Sequence, residues 1–245
     1  MFKPKNVYKG KGLCSICERN VVFSSDNSWF RDFLACSKCG SIPRERALMY
    51  VIKMYYPDYK SLLLHESSPS NRGASLKLKT ECANYTSSYF YPDIAAGEYH
   101  PDEGIQCQDL EKLTFEDNSL DLFITQDVME HVFDPAKAFK EIARVLKPGG
   151  AHIFTVPIIN KEHKTECWAE KDSSGRVIHH HEAEYHGNPI DDSGALVTMH
   201  WGYDIADFIV NEAGTPTTIV MIDNIELGIR AEYIEVLVSR KYKSI

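Results

Sequence analysis

Hydrophobic positions follow two unlike rhythms before residue 60 and a third after it. Val21-Val22-Phe23 and Trp29-Phe30 are short apolar runs around a polar turn at 24–28, and they predict two small strands. From Ala47 the spacing becomes helical, with Ala47, Leu48, Val51, Ile52 and Tyr55 on one stripe. Ser41 is the expected cap of this helix, Pro43 suits its first turn, Glu45 completes the capping interaction and Pro57 ends it. Beyond Pro57, short apolar runs alternate with helical stretches, which is the pattern of a parallel, doubly wound α/β sheet. Strands are expected at 61–66, 85–90, 104–107, 120–125, 151–156, 217–222 and 233–239. A helix is expected from Pro135, capped by Asp134, with Phe139, Ile142, Ala143 and Leu146 facing inward and Pro148-Gly149-Gly150 stopping it. A second is expected over 204–211.

Composition adds limits. At 245 residues the chain can bury one sizeable α/β core and a small accessory module. No apolar run approaches the roughly 20 residues of a membrane span, and the first residues carry charge without an apolar stretch, so a cytoplasmic protein without a membrane partner is expected. The net charge of −8 repels phosphate backbones. A nucleic-acid partner would need a local basic patch, for which Lys3, Lys5, Lys9, Lys11, Arg44 and Arg46 are the candidates. The balance favours a small-molecule partner. Nothing in the sequence fixes an oligomeric state.

Four of the seven cysteines form two close pairs, Cys14/Cys17 and Cys36/Cys39, eighteen residues apart. Such knuckles place four thiolates around one tetrahedral zinc ion, and four thiolates leave no open catalytic position. Gly40 follows the second pair, where a positive φ lets amides turn toward the sulfurs. Residues 1–41 are therefore a zinc ribbon too small to fold without metal, 42–59 a linking helix, and 60–245 the main domain.

The run QDLEKLTFEDNSLDLFITQDVMEHVFDPAKAFKEIARVLKPGG, from Gln108 to Gly150, resembles class I S-adenosylmethionine-dependent methyltransferases of the type 11 kind. Residues 60–157 carry the resemblance, 104–157 most of it. The paired cysteines followed by CGSIPRERAL are similar to a subset with an N-terminal zinc module. The resemblance implies a seven-stranded Rossmann-like sheet in the order 3-2-1-4-5-7-6, the seventh strand antiparallel. It places S-adenosylmethionine at the carboxyl ends of the strands. It implies that Asp109 accepts from the adenine amino group while the Leu110 amide donates to a ring nitrogen. Glu66 matches the acid that closes the first strand. The turn that follows departs from the family's glycine-rich form and reads SSPSNRG, leaving Ser67, Ser68 and Gly73 to cradle the cofactor, with Pro69 removing one amide donor. The acid that holds the ribose is also missing: Ser88 or Tyr89 stands nearest, and Asp93 lies further on. Gln126 and Asp127, at the end of the fourth strand, are pocket residues by the same resemblance.

Residues 158–203 form a long segment rich in side chains that do chemistry. The resemblance makes it a substrate lid, with Tyr185, Asn188, His200, Trp201 and Tyr203 as substrate contacts within it or beside it. Tyr185 to Pro189 reads as an ordered turn. The consecutive His179, His180 and His181 would alternate faces on a strand and cannot all bind one ion. His131 and His186 are the candidate general bases for an acceptor that must lose a proton. Three functions fit: methyl transfer to an oxygen, nitrogen or carbon of a small molecule; an RNA or protein methyltransferase recruited through the ribbon; or a binding protein that kept the fold without the chemistry.

Overall fold

The computed structural model describes residues 7–188, 190 and 193–242. Lys3, Lys5 and Pro189 lie outside them. The ribbon comprises β1 (Tyr8–Leu13), β2 (Asn20–Ser25), the short α1 (Phe30–Phe33) and β3 (Ala35–Cys36), its three strands antiparallel in sequence order. In place of the strand expected at Trp29-Phe30, Trp29 precedes a short helix that begins at Phe30. Asn27 Oδ1 accepts the Trp29 amide at 2.8 Å, and this local turn winds the chain into α1.

Helix α2 (Pro43–Tyr55) starts one residue later than the expected cap. Ile42 is the cap residue and its amide donates to Glu45 Oε2 at 3.0 Å. Ser41 is engaged elsewhere: its hydroxyl lies 3.4 Å from Cys14 Sγ and 3.2 Å from Cys39 Sγ. Then come β4 (Leu63–Ser67), α3 (Gly73–Glu81), β5 (Asn84–Tyr89), β6 (Gln106–Cys107), β7 (Leu120–Gln126), α4 (Pro135–Val145) and β8 (Leu146–Thr155). Asp134 caps α4 as expected, accepting the Lys137 amide at 3.0 Å. The Pro-Gly-Gly turn does not end α4. The helix stops at Val145, because Leu146 already pairs with Leu120 of β7. Gly150 then lies so close to the Asp121 carbonyl that a Cβ would collide with it.

Residues 158–203 hold three small antiparallel ladders: β9 (Glu166–Cys167) with β14 (Met199–His200), β10 (Ala169–Lys171) with β11 (Val177–His179), and β12 (Tyr185–His186) with β13 (Ala195–Leu196). Helix α5 (Ile205–Ala213), β15 (Thr217–Val220) and β16 (Val236–Arg240) complete the chain.

The seven-stranded sheet runs β6-β5-β4-β7-β8-β16-β15. In sheet-strand terms this is the expected 3-2-1-4-5-7-6, and β16 is antiparallel to both neighbours. One face packs on α2, α3 and the ribbon; the other packs on α4 and α5, with Trp201 fully buried against Phe139 and Phe208. Among the described residues, no helix is long and apolar enough to cross a membrane.

Arg46 joins the ribbon to the sheet. It is fully buried, its guanidinium sits 4.6 Å from the Phe23 ring centre, and it donates to the carbonyls of Leu34, Ser41 and Gly228. Burial pulls its pKa down to about 10, which still leaves it charged at neutral pH. Arg46→Ala is expected to cost about 3 kcal/mol of stability, because three buried carbonyls lose their donor at once. Urea unfolding checks this, and a loss below about 1 kcal/mol would contradict it.

Candidate active site at the carboxyl end of the sheet

The carboxyl ends of β4, β5, β6 and β7 lie side by side, so the topology gathers residues far apart in sequence. Glu66 is wholly buried and accepts from Ser75 Oγ at 2.6 Å, Gln126 Nε2 at 2.8 Å and Tyr85 Oη at 2.9 Å. Burial raises its pKa, and these three donors oppose the rise. Glu66 and Gln126 therefore brace one another across the switch between β4 and β7. The altered turn keeps a glycine-like bend without glycine: Ser68 has φ +54 and its amide donates to Ser88 O at 2.8 Å. Ser67 is buried beside it. Gly73, also at positive φ, faces the Glu45 carboxylate, which a Cβ would strike, so it serves the approach of α3 to α2.

Ser88 is not positioned to replace the missing ribose acid. It is fully buried and its hydroxyl meets His65 Nε2 at 2.9 Å inside the sheet layer. Strand alternation turns Tyr89 the other way, where its hydroxyl donates to the Pro69 carbonyl. Asp109 follows β6; its Oδ1 accepts the Glu111 amide at 2.9 Å, and Leu110 is buried beneath it.

Asp127 has φ +52 and closes β7. Its carboxylate accepts Thr155 Oγ1 at 2.9 Å and Arg31 at 2.6 Å, and it pairs with Arg44 as well. Burial opposes ionisation, but Arg44 and Arg31 outweigh it and hold the carboxyl down at about 2. Sequence reading missed Arg31, which offers no motif. It placed Arg44 and Arg46 in a surface basic patch. The structure corrects this, since Arg44 pairs with Asp127 and Arg46 is interior.

One turn beyond Asp127 the chain meets the segment 158–203. The Glu130 carbonyl accepts from the amide and hydroxyl of Thr198, at 2.7 and 3.0 Å. His131 Nδ1 lies 2.9 Å from the Leu196 carbonyl, and its ring packs edge-on to His186 at 5.1 Å. Burial pulls the pKa of His131 down to about 4. His186 Nε2 contacts Glu184 Oε1 at 3.2 Å; His200 Nε2 contacts the other oxygen at 3.0 Å and stacks on Trp168. His131, His186 and His200 are thus gathered in one cluster, with Glu130 as the member that sequence reading overlooked although it precedes His131 directly. Of the other expected substrate contacts, Trp201 is a core side chain instead, and Tyr203 reaches toward Glu235. Tyr185 is exposed, and Asn188 Oδ1 accepts the Ile190 amide at 2.7 Å.

In the ribbon, Cys14 Sγ lies 3.7 Å from Cys39 Sγ and Cys17 Sγ lies 3.9 Å from Cys36 Sγ, all four within 4.8 Å of one another. Four sulfurs bound tetrahedrally at zinc–sulfur lengths stand about 3.8 Å apart, so the cluster fits zinc. Gly40 has φ +67, as expected, and the Lys38 amide points at Cys36 Sγ at 3.4 Å.

Residues 75–154 match a family model described as a methyltransferase domain. A ubiquinone biosynthesis O-methyltransferase of Coxiella burnetii is 39% identical over 59 residues, 24% of each chain. A dimethylglycine N-methyltransferase of Parasynechococcus marenigrum is 44% identical over 48 residues, covering 20% of this chain and 17% of its own. The chain thus spans about a quarter or less of the length of these relatives. Among solved structures, a chain of the Haloferax volcanii complex between the Trm112 methyltransferase activator and a candidate methyltransferase aligns with TM-score 0.50. The identity is 14%, over 82% of this chain and 91% of that one, which shows the fold. An S-adenosylmethionine-dependent methyltransferase of Mesorhizobium loti aligns with TM-score 0.46 and 18% identity, over 79% and 96%. The matched stretch and the strand order together give residues 60–245 the Rossmann-like methyltransferase fold, with a methyltransferase-domain match over 75–154.

Proposed function

We propose that this protein transfers the methyl group of S-adenosylmethionine to a small-molecule acceptor, and that residues 1–41 hold a structural zinc ion. The carrying observation is the gathering of Glu66, Asp109, Gln126 and Asp127 at one carboxyl edge, with the His131–His186 cluster of the lid beside it. Methyl transfer is an in-line displacement, so the protein mainly has to hold two partners in line. Asp109 and the Leu110 amide take the adenine edge in this reading. The Ser67–Ser68 bend, braced by Glu66 and Gln126, takes the methionine end. The lid from 158 to 203 covers the acceptor.

A small acceptor fits the charge and the cluster. The net charge is −8, and Arg44 and Arg46 are consumed inside the fold, so among the described residues Lys9 and Lys11 are the exposed members of the basic patch. The relatives' own names are those of a ubiquinone biosynthesis O-methyltransferase and a dimethylglycine N-methyltransferase. Reduced cysteine pairs suit a cytoplasmic setting. The three segments then divide the labour, with 42–59 carrying Arg44 and Arg46 from the ribbon to the main domain 60–245.

Calorimetric titration of the zinc-loaded protein with S-adenosylmethionine and S-adenosylhomocysteine tests this. Micromolar binding of both is expected, weakened about tenfold or more in Asp109→Ala by loss of a charge-assisted hydrogen bond. Binding of neither ligand would overturn the methyltransferase reading and favour a binding protein that kept the fold. Tight, salt-sensitive retention on RNA would favour the RNA enzyme instead.

A further inference from the structure

Glu130, His131 and His186 face one another, with ring nitrogens 3.8 to 3.9 Å from one carboxyl oxygen, too far for a direct hydrogen bond. Glu130 is 2% exposed, and neither of its carboxylate oxygens has a hydrogen-bond partner among the described residues. His131 Nε2 lies 3.8 Å from Glu130 Oε1, and His186 Nδ1 lies 3.9 Å from the same oxygen. Both imidazoles have already committed their other nitrogen. His131 Nδ1 faces the Leu196 carbonyl, which accepts only, so that nitrogen carries the proton. His186 Nε2 faces the Glu184 carboxylate, so the same holds there. Each ring therefore turns its second nitrogen toward the same buried, unpartnered Glu130 oxygen.

A buried carboxyl without a hydrogen-bond partner is costly, and a cation held between it and the two ring nitrogens would relieve that cost. The second partners are those that fix a metal-binding imidazole: a backbone carbonyl for one ring and a carboxylate for the other. Glu184 is itself held by His200, whose ring stacks on Trp168. Asp127, the nearest other carboxylate in sequence, is already paired with Arg31 and Arg44 and is not a member.

We propose that Glu130, His131 and His186 bind a divalent first-row transition-metal ion at the acceptor end of the site. Two imidazoles and one carboxylate are a known donor set for such ions, and three protein ligands leave positions open for an acceptor's oxygen. All three donor atoms lie within 4.8 Å of one another. Bonds of about 2.1 Å would bring them to roughly 3.4 Å, a closure of about half an ångström for each imidazole on the carboxyl oxygen and of up to about 1.4 Å between the two imidazoles. The site deepens the methyltransferase reading, for it favours an acceptor with a hydroxyl or carboxylate oxygen. It also changes the roles of His131 and His186 from bases to ligands. A second group, Cys167, Glu170 and His180, is exposed, and its Glu170–His180 contact is a surface ion pair. It serves as the internal control.

The test is titration of the zinc-loaded protein with cobalt(II), followed by absorption and thermal unfolding in the absence of cofactor. One equivalent is expected to bind, with ligand-field bands and no thiolate charge-transfer band, and to raise the Tm. His186→Ala is expected to weaken this at least 100-fold, and His180→Ala to leave it unchanged. Glu130→Gln keeps the shape of the buried side chain and is expected to abolish the metal-dependent rise in Tm. Absence of binding, binding that survives His186→Ala, or a thiolate band lost with His180→Ala would overturn the proposal. Binding of S-adenosylhomocysteine is measured separately: its presence without cobalt binding overturns the metal site alone, and its absence with cobalt binding overturns the methyltransferase reading alone.

Discussion

Cys36→Ser, or removal of zinc with a strong chelator, is expected to unfold the ribbon and to disorganise the carboxyl edge of the sheet together. The first part follows from size. Three short strands and a four-residue helix bury too little to fold alone, whereas a structural zinc ion contributes on the order of 10 kcal/mol. The second part follows from two arginines. Arg31 sits in α1, between the two cysteine pairs, and reaches 2.6 Å to Asp127 and 3.0 Å to the Tyr233 carbonyl. Arg46 ties the ribbon carbonyl of Leu34 to Gly228 of the main domain. When the ribbon melts, Asp127 keeps only Arg44 and Thr155, and Leu34 leaves the core. Trp29 stands 6.1 Å from Tyr233, so its fluorescence reports undocking. Limited proteolysis should cut within 7–41 first, and affinity for S-adenosylhomocysteine should fall in step. Unchanged fluorescence, proteolysis and affinity in Cys36→Ser would show that the ribbon needs no metal.

The sheet was legible because apolar runs, caps and turn residues agree locally with the global fold. Asp134 and Pro135 announce α4, and that helix and the strands around it also carry the family resemblance. What escaped was decided by contacts between distant residues. Whether Ser88 serves a ribose or the core depends on His65, two strand positions from the end of a different strand. Arg31 and Asp127 are 96 residues apart, and no local pattern joins them. The lid misled for a related reason. Its aromatic residues look alike in sequence, but Trp201 enters the core beside Phe139, whereas Trp168 stacks on His200 at the surface cluster. Glu130 was hidden by its position in a recognisable motif, where only burial shows that its carboxylate lacks a donor.

Two histidines inside the sheet are expected to give the protein a measurable acid weakness. In one row across the strands, Thr86, His65, Phe123, His152 and Ser239 are register partners. His65 is bonded to Thr86 and Ser88, and His152 to Thr125 while stacking on Phe154 at 4.1 Å. Burial pulls both pKa values down to about 3. A depressed folded-state pKa means that the unfolded chain takes the proton first. The stability that each histidine contributes is present above its unfolded value of about 6.5 and is lost as pH falls toward 3. At pH 5 the loss is about 2 kcal/mol for each, some 1.5 pH units below the unfolded value. Glu66 acts in the opposite sense, since its raised pKa favours the folded state as pH falls, so the total profile is a sum of both. Comparison of variants isolates the histidines. His65→Gln and His152→Gln keep a polar group for the same hydroxyls but cannot titrate. Relative to the unaltered protein, each should gain about 2 kcal/mol on going from pH 7.5 to pH 5, and the double variant about 4, whatever each costs at neutral pH. Urea unfolding at the two pH values reads this difference directly. Parallel losses in all four proteins would mean that neither histidine is held neutral by the fold.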